Sequence, residues 1–144
     1  MGSSLVKDLA DHVRCSSIRH RTRQKPLFIG QGGLRLSGVK PLAHMLIRTH
    51  RPAMVIIHAG ANDIGSLTGW AWKEAVKKIL KDLKELHPSL RFVWSDMLPR
   101  LAYRNHGTQA AEKKRRRYQR VAREVFGGPW VSHPTIQIDR EYLC

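Results

Sequence analysis

The sequence predicts an α/β fold, a sandwich of helices around a parallel sheet, and three observations predict it. Short apolar runs of strand length alternate with longer stretches whose apolar residues recur at helical spacing. The segments between successive runs carry helix patterns, which is what crossover connections between parallel strands require. Two of the runs end in glycine-bearing segments, Gly30-Gln31-Gly32-Gly33 and Gly60-Ala61-Asn62-Asp63. Strand ends of this kind are where open α/β sheets place their ligands.

The elements follow in order. Leu5 to Val13 reads as a short helix, with Leu5, Val6, Leu9 and Val13 on one face, and Arg14 to Lys25 is a polar, basic connection. Pro26-Leu27-Phe28-Ile29 reads as a short strand, broken by the first glycine segment. Ser37 to His50 is helical, with Pro41 in its first turn, where a missing N–H costs little. Met54 to Ala59 is a buried strand. From Leu67 to Leu86, Trp72, Val76, Ile79, Leu80, Leu83 and Leu86 form one stripe, while Lys73, Lys77, Lys81 and Lys84 face out. Leu90 to Trp94 is the next strand, leading into Ser95-Asp96-Met97-Leu98-Pro99-Arg100. A helix from Thr108 to Phe126 stops at Gly127-Gly128-Pro129, and Thr135 to Ile138 is the last strand.

At 144 residues the chain makes one domain, residues 1–144, with enough length to bury a core. Its charge is lopsided: 26 Lys and Arg against 11 Asp and Glu give +15. That surplus bears on partners and solubility, not on fold. Cys15 and Cys144 offer no disulfide framework and suit a reducing, intracellular compartment. No apolar run is long enough to cross a membrane, no histidine shows metal-ligand spacing, and no cofactor is expected.

Three blocks, Gly2-Ser3-Ser4, Gly30-x-Gly32-Gly33 and Gly60-x-Asn62-Asp63, converge on one edge of such a sheet. Together with Trp94 to Arg100 their order and spacing resemble the SGNH (GDSL-type) serine hydrolases, closest to the esterase-like domains of vertebrate transposable elements. The resemblance implies a flavodoxin-like three-layer sandwich and acyl-ester hydrolysis. It implies Ser4 as nucleophile, with the Ser4 and Gly33 backbone N–H groups and the Asn62 amide as an oxyanion hole. Those donor types fit the chemistry, because ester attack puts negative charge on the carbonyl oxygen and fixed donors near it lower the barrier.

The chain departs from that pattern at both ends, and a fragment truncated at both ends is the expectation. It begins at Met1, without the family's apolar strand before the nucleophile. The family's Asp-x-x-His block, which supplies the base, occurs nowhere in the sequence. A serine hydroxyl without an adjacent base is a poor nucleophile, so the fragment is expected to be inactive. His133 lies nearest the expected region but reads as a turn residue before Pro134, and His58 reads as a satisfied core or rim histidine.

The competing reading comes from the basic helix. Lys113, Lys114, Arg115, Arg116, Arg117 and Arg120, with Arg123, form the densest charge run and are expected on its solvated face. No base-reading motif accompanies them, so any contact with nucleic acid is expected to be electrostatic and nonspecific.

Overall fold

The structure, a computed structural model, describes residues 26–100 and 107–132. In chain order its elements are α1 (Leu36–His50), β1 (Met54–Ile57), a 3₁₀ turn (Ala61–Asp63), α2 (Gly69–Leu86), β2 (Arg91–Trp94) and α3 (Thr108–Phe126). The expected helix over 5–13 and strand over 135–138 lie outside the described residues. The expected strand over Pro26–Ile29 is not formed: only Gly30 makes a bridge. Pro26 has no N–H to offer a ladder, which shortens what this segment can pair.

β1 and β2 pair in parallel, with Val55 opposite Phe92 and Ile57 opposite Trp94. Beyond the strand ends, Ser95 N donates to Ile57 O at 2.8 Å and Asp96 N to Val131 O at 2.9 Å. Consecutive residues of a strand point their N–H groups to opposite sides, so β2 has β1 on one side and Val131 on the other. The chain therefore joins the sheet at Val131, before the expected last strand.

Alternation along the strands decides which face meets the helices. Val55, Ile57, Phe92 and Trp94 share one face and belong to the core cluster. Trp94 meets Trp72 of α2 edge-on, with ring centroids 6.0 Å apart, and Phe126 of α3 at 5.2 Å. Trp72 stacks on Tyr118 of α3 at 4.8 Å. Four aromatic rings thus bind β2, α2 and α3 into one core.

The helix caps follow local chemistry. Thr68 accepts a hydrogen bond from Ala71 N at the start of α2. Gly127, at φ +60°, ends α3 and donates to Arg123 O, the left-handed cap that the Gly-Gly-Pro stop implies. Pro41 lies at the sixth position of α1, which begins one residue earlier than expected, and offers no N–H to the Ser37 carbonyl. The α2 stripe is buried from Trp72 to Leu83, but Leu86, at the helix end, is exposed. Asp82 is buried in that same stripe because Lys40 of α1 donates to it at 2.9 Å. The Lys40 hydrogen bond, outweighing burial, holds its carboxyl below the ordinary range.

Candidate functional site: a clamped asparagine at the strand ends

The site begins where β1 ends. Gly60, at φ +97°, turns the chain sharply into the 3₁₀ turn. A Cβ there would meet Trp72 Cζ2 at 3.1 Å, so both conformation and space call for glycine. The turn then presents two side chains in opposite roles. Asn62 is half-buried and Asp63 is buried.

Asn62 is held at both ends of its amide. Its Nδ2 donates to Leu34 O at 2.9 Å, and its Oδ1 accepts from Arg100 at 3.2 Å. A carbonyl can only accept and a guanidinium can only donate, so this pair of partners fixes which way the amide faces. Leu34 O uses one of the two Nδ2 hydrogens. The second belongs to a group that can no longer turn.

Asp63 works on the other loop. Its Oδ2 accepts Leu36 N, the first residue of α1, at 3.0 Å, and so caps that helix from a distance in sequence. Burial pushes the Asp63 carboxyl up; the Leu36 N–H and the Arg35 charge oppose this less strongly. Asp63→Ala, which leaves that N–H without its acceptor, should cost about 1–2 kcal/mol. Asp63→Asn keeps an acceptor and removes the charge. A carboxyl with a raised folded-state pKa contributes stability that is fully present below its unfolded value, about 3.9. That contribution is lost as pH rises through the folded value. Wild type should therefore lose stability relative to Asp63→Asn as pH rises across that window, which melting curves at several pH values will show.

Together the two side chains stitch residues 34 and 36 to residues 62 and 63. Gly33, at φ +70°, sits in the turn closed by Leu34 N to Gln31 O. Open space surrounds the position a Cβ would take. The two described members of the expected donor set are thus brought together: Leu34, which follows Gly33, is itself bonded to Asn62. Ser4 and His133 lie outside the described residues.

One participant, Arg100, escaped the sequence reading. Arg100 orients Asn62, yet nothing in a lone arginine after Pro99 announces that role. His58, just past β1, is buried with its Nδ1 3.2 Å from the Oγ of buried Ser95, the satisfied core histidine that the sequence predicts. The open pocket of about 530 Å³ between Ile47–Pro52 and Leu86–Leu90 lies at the other edge of the sheet, before the strands begin, and takes no part in this site.

The basic helix departs from expectation at two residues, Arg115 and Arg123. Arg115 is buried, not solvated. Its guanidinium donates to the Met97 carbonyl, to Glu112 and to Gln119. Lys113, Lys114, Arg116, Arg117 and Arg120 are exposed, as expected. Arg123 pairs with buried Asp96 and lies 5.1 Å over the Trp130 ring. Among the described residues no group of three or more metal-ligating side chains occurs, and no helix is long and apolar enough to cross a membrane.

No family model and no curated protein matches the sequence. Solved structures do. The OSK domain of Drosophila Oskar superposes with a TM-score of 0.63 at 17% identity, over 92% of this chain and 62% of that one. A family 3 carbohydrate esterase of Clostridium thermocellum gives 0.57 at 17% identity, over 94% of this chain and 69% of that one. The fold is SGNH-like. The α/β architecture with a parallel sheet that the sequence predicts is the one observed. At such identity the likeness concerns fold alone, and the chain spans 62% of the length of the Oskar domain.

Proposed function

We propose that the chain is an SGNH-type ester hydrolase-like domain whose Gly33 turn and Asn62 amide form the described part of an oxyanion hole. One observation carries this reading: Asn62 is clamped between Leu34 O and Arg100, so its donor is fixed before any substrate arrives. Preorganised donors of this kind are worth about 3 kcal/mol each when charge develops on an acyl oxygen. Ser4 completes the set as nucleophile in the proposal, with a carboxylic ester as substrate. No Asp-x-x-His supplies a base. Acyl-ester turnover by this chain should therefore be negligible, since general-base help is typically worth about 10²–10⁴-fold. A short-chain acyl ester assay on wild type, Ser4→Ala and His133→Ala checks this. Turnover that vanishes in both variants would make His133 the base and the chain an active esterase.

A second reading is favoured by the exposed stripe on α3. Lys113, Arg116, Arg117 and Arg120 lie within about one third of the helix circumference, opposite Ala111, Tyr118 and Ala122 in the core. Such a stripe suits the phosphates of a nucleic acid and releases counterions on binding. The two readings rest on different residues.

A further inference from the structure

The amino-terminal end of α2 is tied to the middle of α3. The Tyr118 hydroxyl donates to the Leu67 carbonyl at 2.8 Å, and a Cβ built on Gly69 would meet Arg117 Cζ at 3.6 Å. The next residue, Trp70, is 76% exposed, more than any other large hydrophobic side chain among the described residues. Its indole contributes nothing to the core cluster. A single exposed apolar residue needs no explanation by itself. The chain neighbour of Trp70, Gly69, lies against Arg117, one of the exposed cations of α3.

We infer that Trp70 is a stacking platform for an unpaired base, so that this face binds single-stranded nucleic acid in preference to duplex. The inference rests on the phosphate-contact reading of α3 and adds the form of nucleic acid bound. Base faces are hidden inside a duplex and open in a single strand, so an indole can stack only on the latter. The cations from Lys113 to Arg120 extend over about 10 Å of helix at about 1.5 Å per residue, a length of backbone that one strand can follow. Stacking tolerates any base, which agrees with a surface carrying no base-edge reader.

An anionic membrane surface fits less well. A helix that lies in a bilayer interface turns its apolar face to the lipid. The apolar face of α3 (Ala111, Tyr118, Ala122, Phe126) is already buried in the core.

The test measures affinity of the full chain for labelled oligo(dT) and oligo(U) of about 16 nucleotides, and for a duplex, across a salt series. Vesicles of phosphatidylcholine with and without phosphatidylserine form a separate arm. Trp70→Ala should weaken both single strands by roughly tenfold while leaving duplex affinity and the salt slope unchanged. Trp70→Phe should keep most of the affinity. Arg116→Gln with Arg117→Gln should flatten the log–log salt slope on single strands by about 1.4. Single-strand affinity indifferent to Trp70→Ala but reduced in the arginine variant would overturn the stacking role and leave the phosphate contact standing. Failure of wild type to bind any oligonucleotide at low salt would overturn both. Binding confined to phosphatidylserine vesicles would overturn the inference in favour of a membrane surface.

Discussion

Replacing Trp94 by alanine should lower stability by about 3–5 kcal/mol, the range for deleting a large buried aromatic side chain. Trp94 is fully buried and joins β2 to Trp72 of α2 and to Phe126 of α3. Its loss opens a cavity where three elements meet, and none of the three can close it alone. The indole nitrogen has no hydrogen-bond partner, so Trp94→Phe gives up ring volume and edge contact without orphaning an acceptor. That milder change should cost about 1–2 kcal/mol. Urea unfolding of the three proteins, followed by circular dichroism, gives both differences. Equal costs for the two substitutions would mean that the indole nitrogen matters more than the packing.

Arg115→Gln should destabilise the chain by roughly 3 kcal/mol, whereas Arg116→Gln and Arg117→Gln should each stay within about 0.5 kcal/mol. The three residues are consecutive and chemically alike, but only Arg115 is buried. It reaches the Met97 carbonyl just past β2, and so ties α3 to the segment that leads to Arg100. Removing it takes the guanidinium from that carbonyl and breaks its ion pair with Glu112. A triple Gln variant would therefore combine a folding defect with a binding defect. Single variants separate the two. Thermal melts of the three single variants check the contrast, and equal melting temperatures would mean that Arg115 is not held as described.

Arg115 also shows where sequence reading succeeds and fails. The α3 pattern gave its ends and its apolar side, because amphipathic period is a property of the segment itself. Within that pattern the spacing Ala111, Arg115, Tyr118, Ala122 runs by four, three and four. Position 115 is thus a core position by geometry, although its charge argues for solvent. Asp82 is the same case on α2, since its burial depends on Lys40 from another helix. Charge alone does not report a partner that arrives from elsewhere in the fold.

The site divides along the same line. The turns at Gly33 and Gly60 were legible because a positive φ leaves glycine as its mark in local sequence. The function of Asp63 as a cap for α1 and of Arg100 as a clamp for Asn62 was not. Each acts across 27 and 38 residues respectively, and such contacts exist only once the loops meet. The short strand expected at Pro26–Ile29 was over-read, because an apolar run shows pairing potential but not a partner.

The most direct test of the proposed oxyanion site is labelling by a serine-directed fluorophosphonate, read by intact mass over hours. The account predicts a slow, single adduct on wild type, none on Ser4→Ala, and labelling slowed about 10²-fold or more in Asn62→Ala. An adduct that forms at the wild-type rate in Asn62→Ala, or persists in Ser4→Ala, would contradict it.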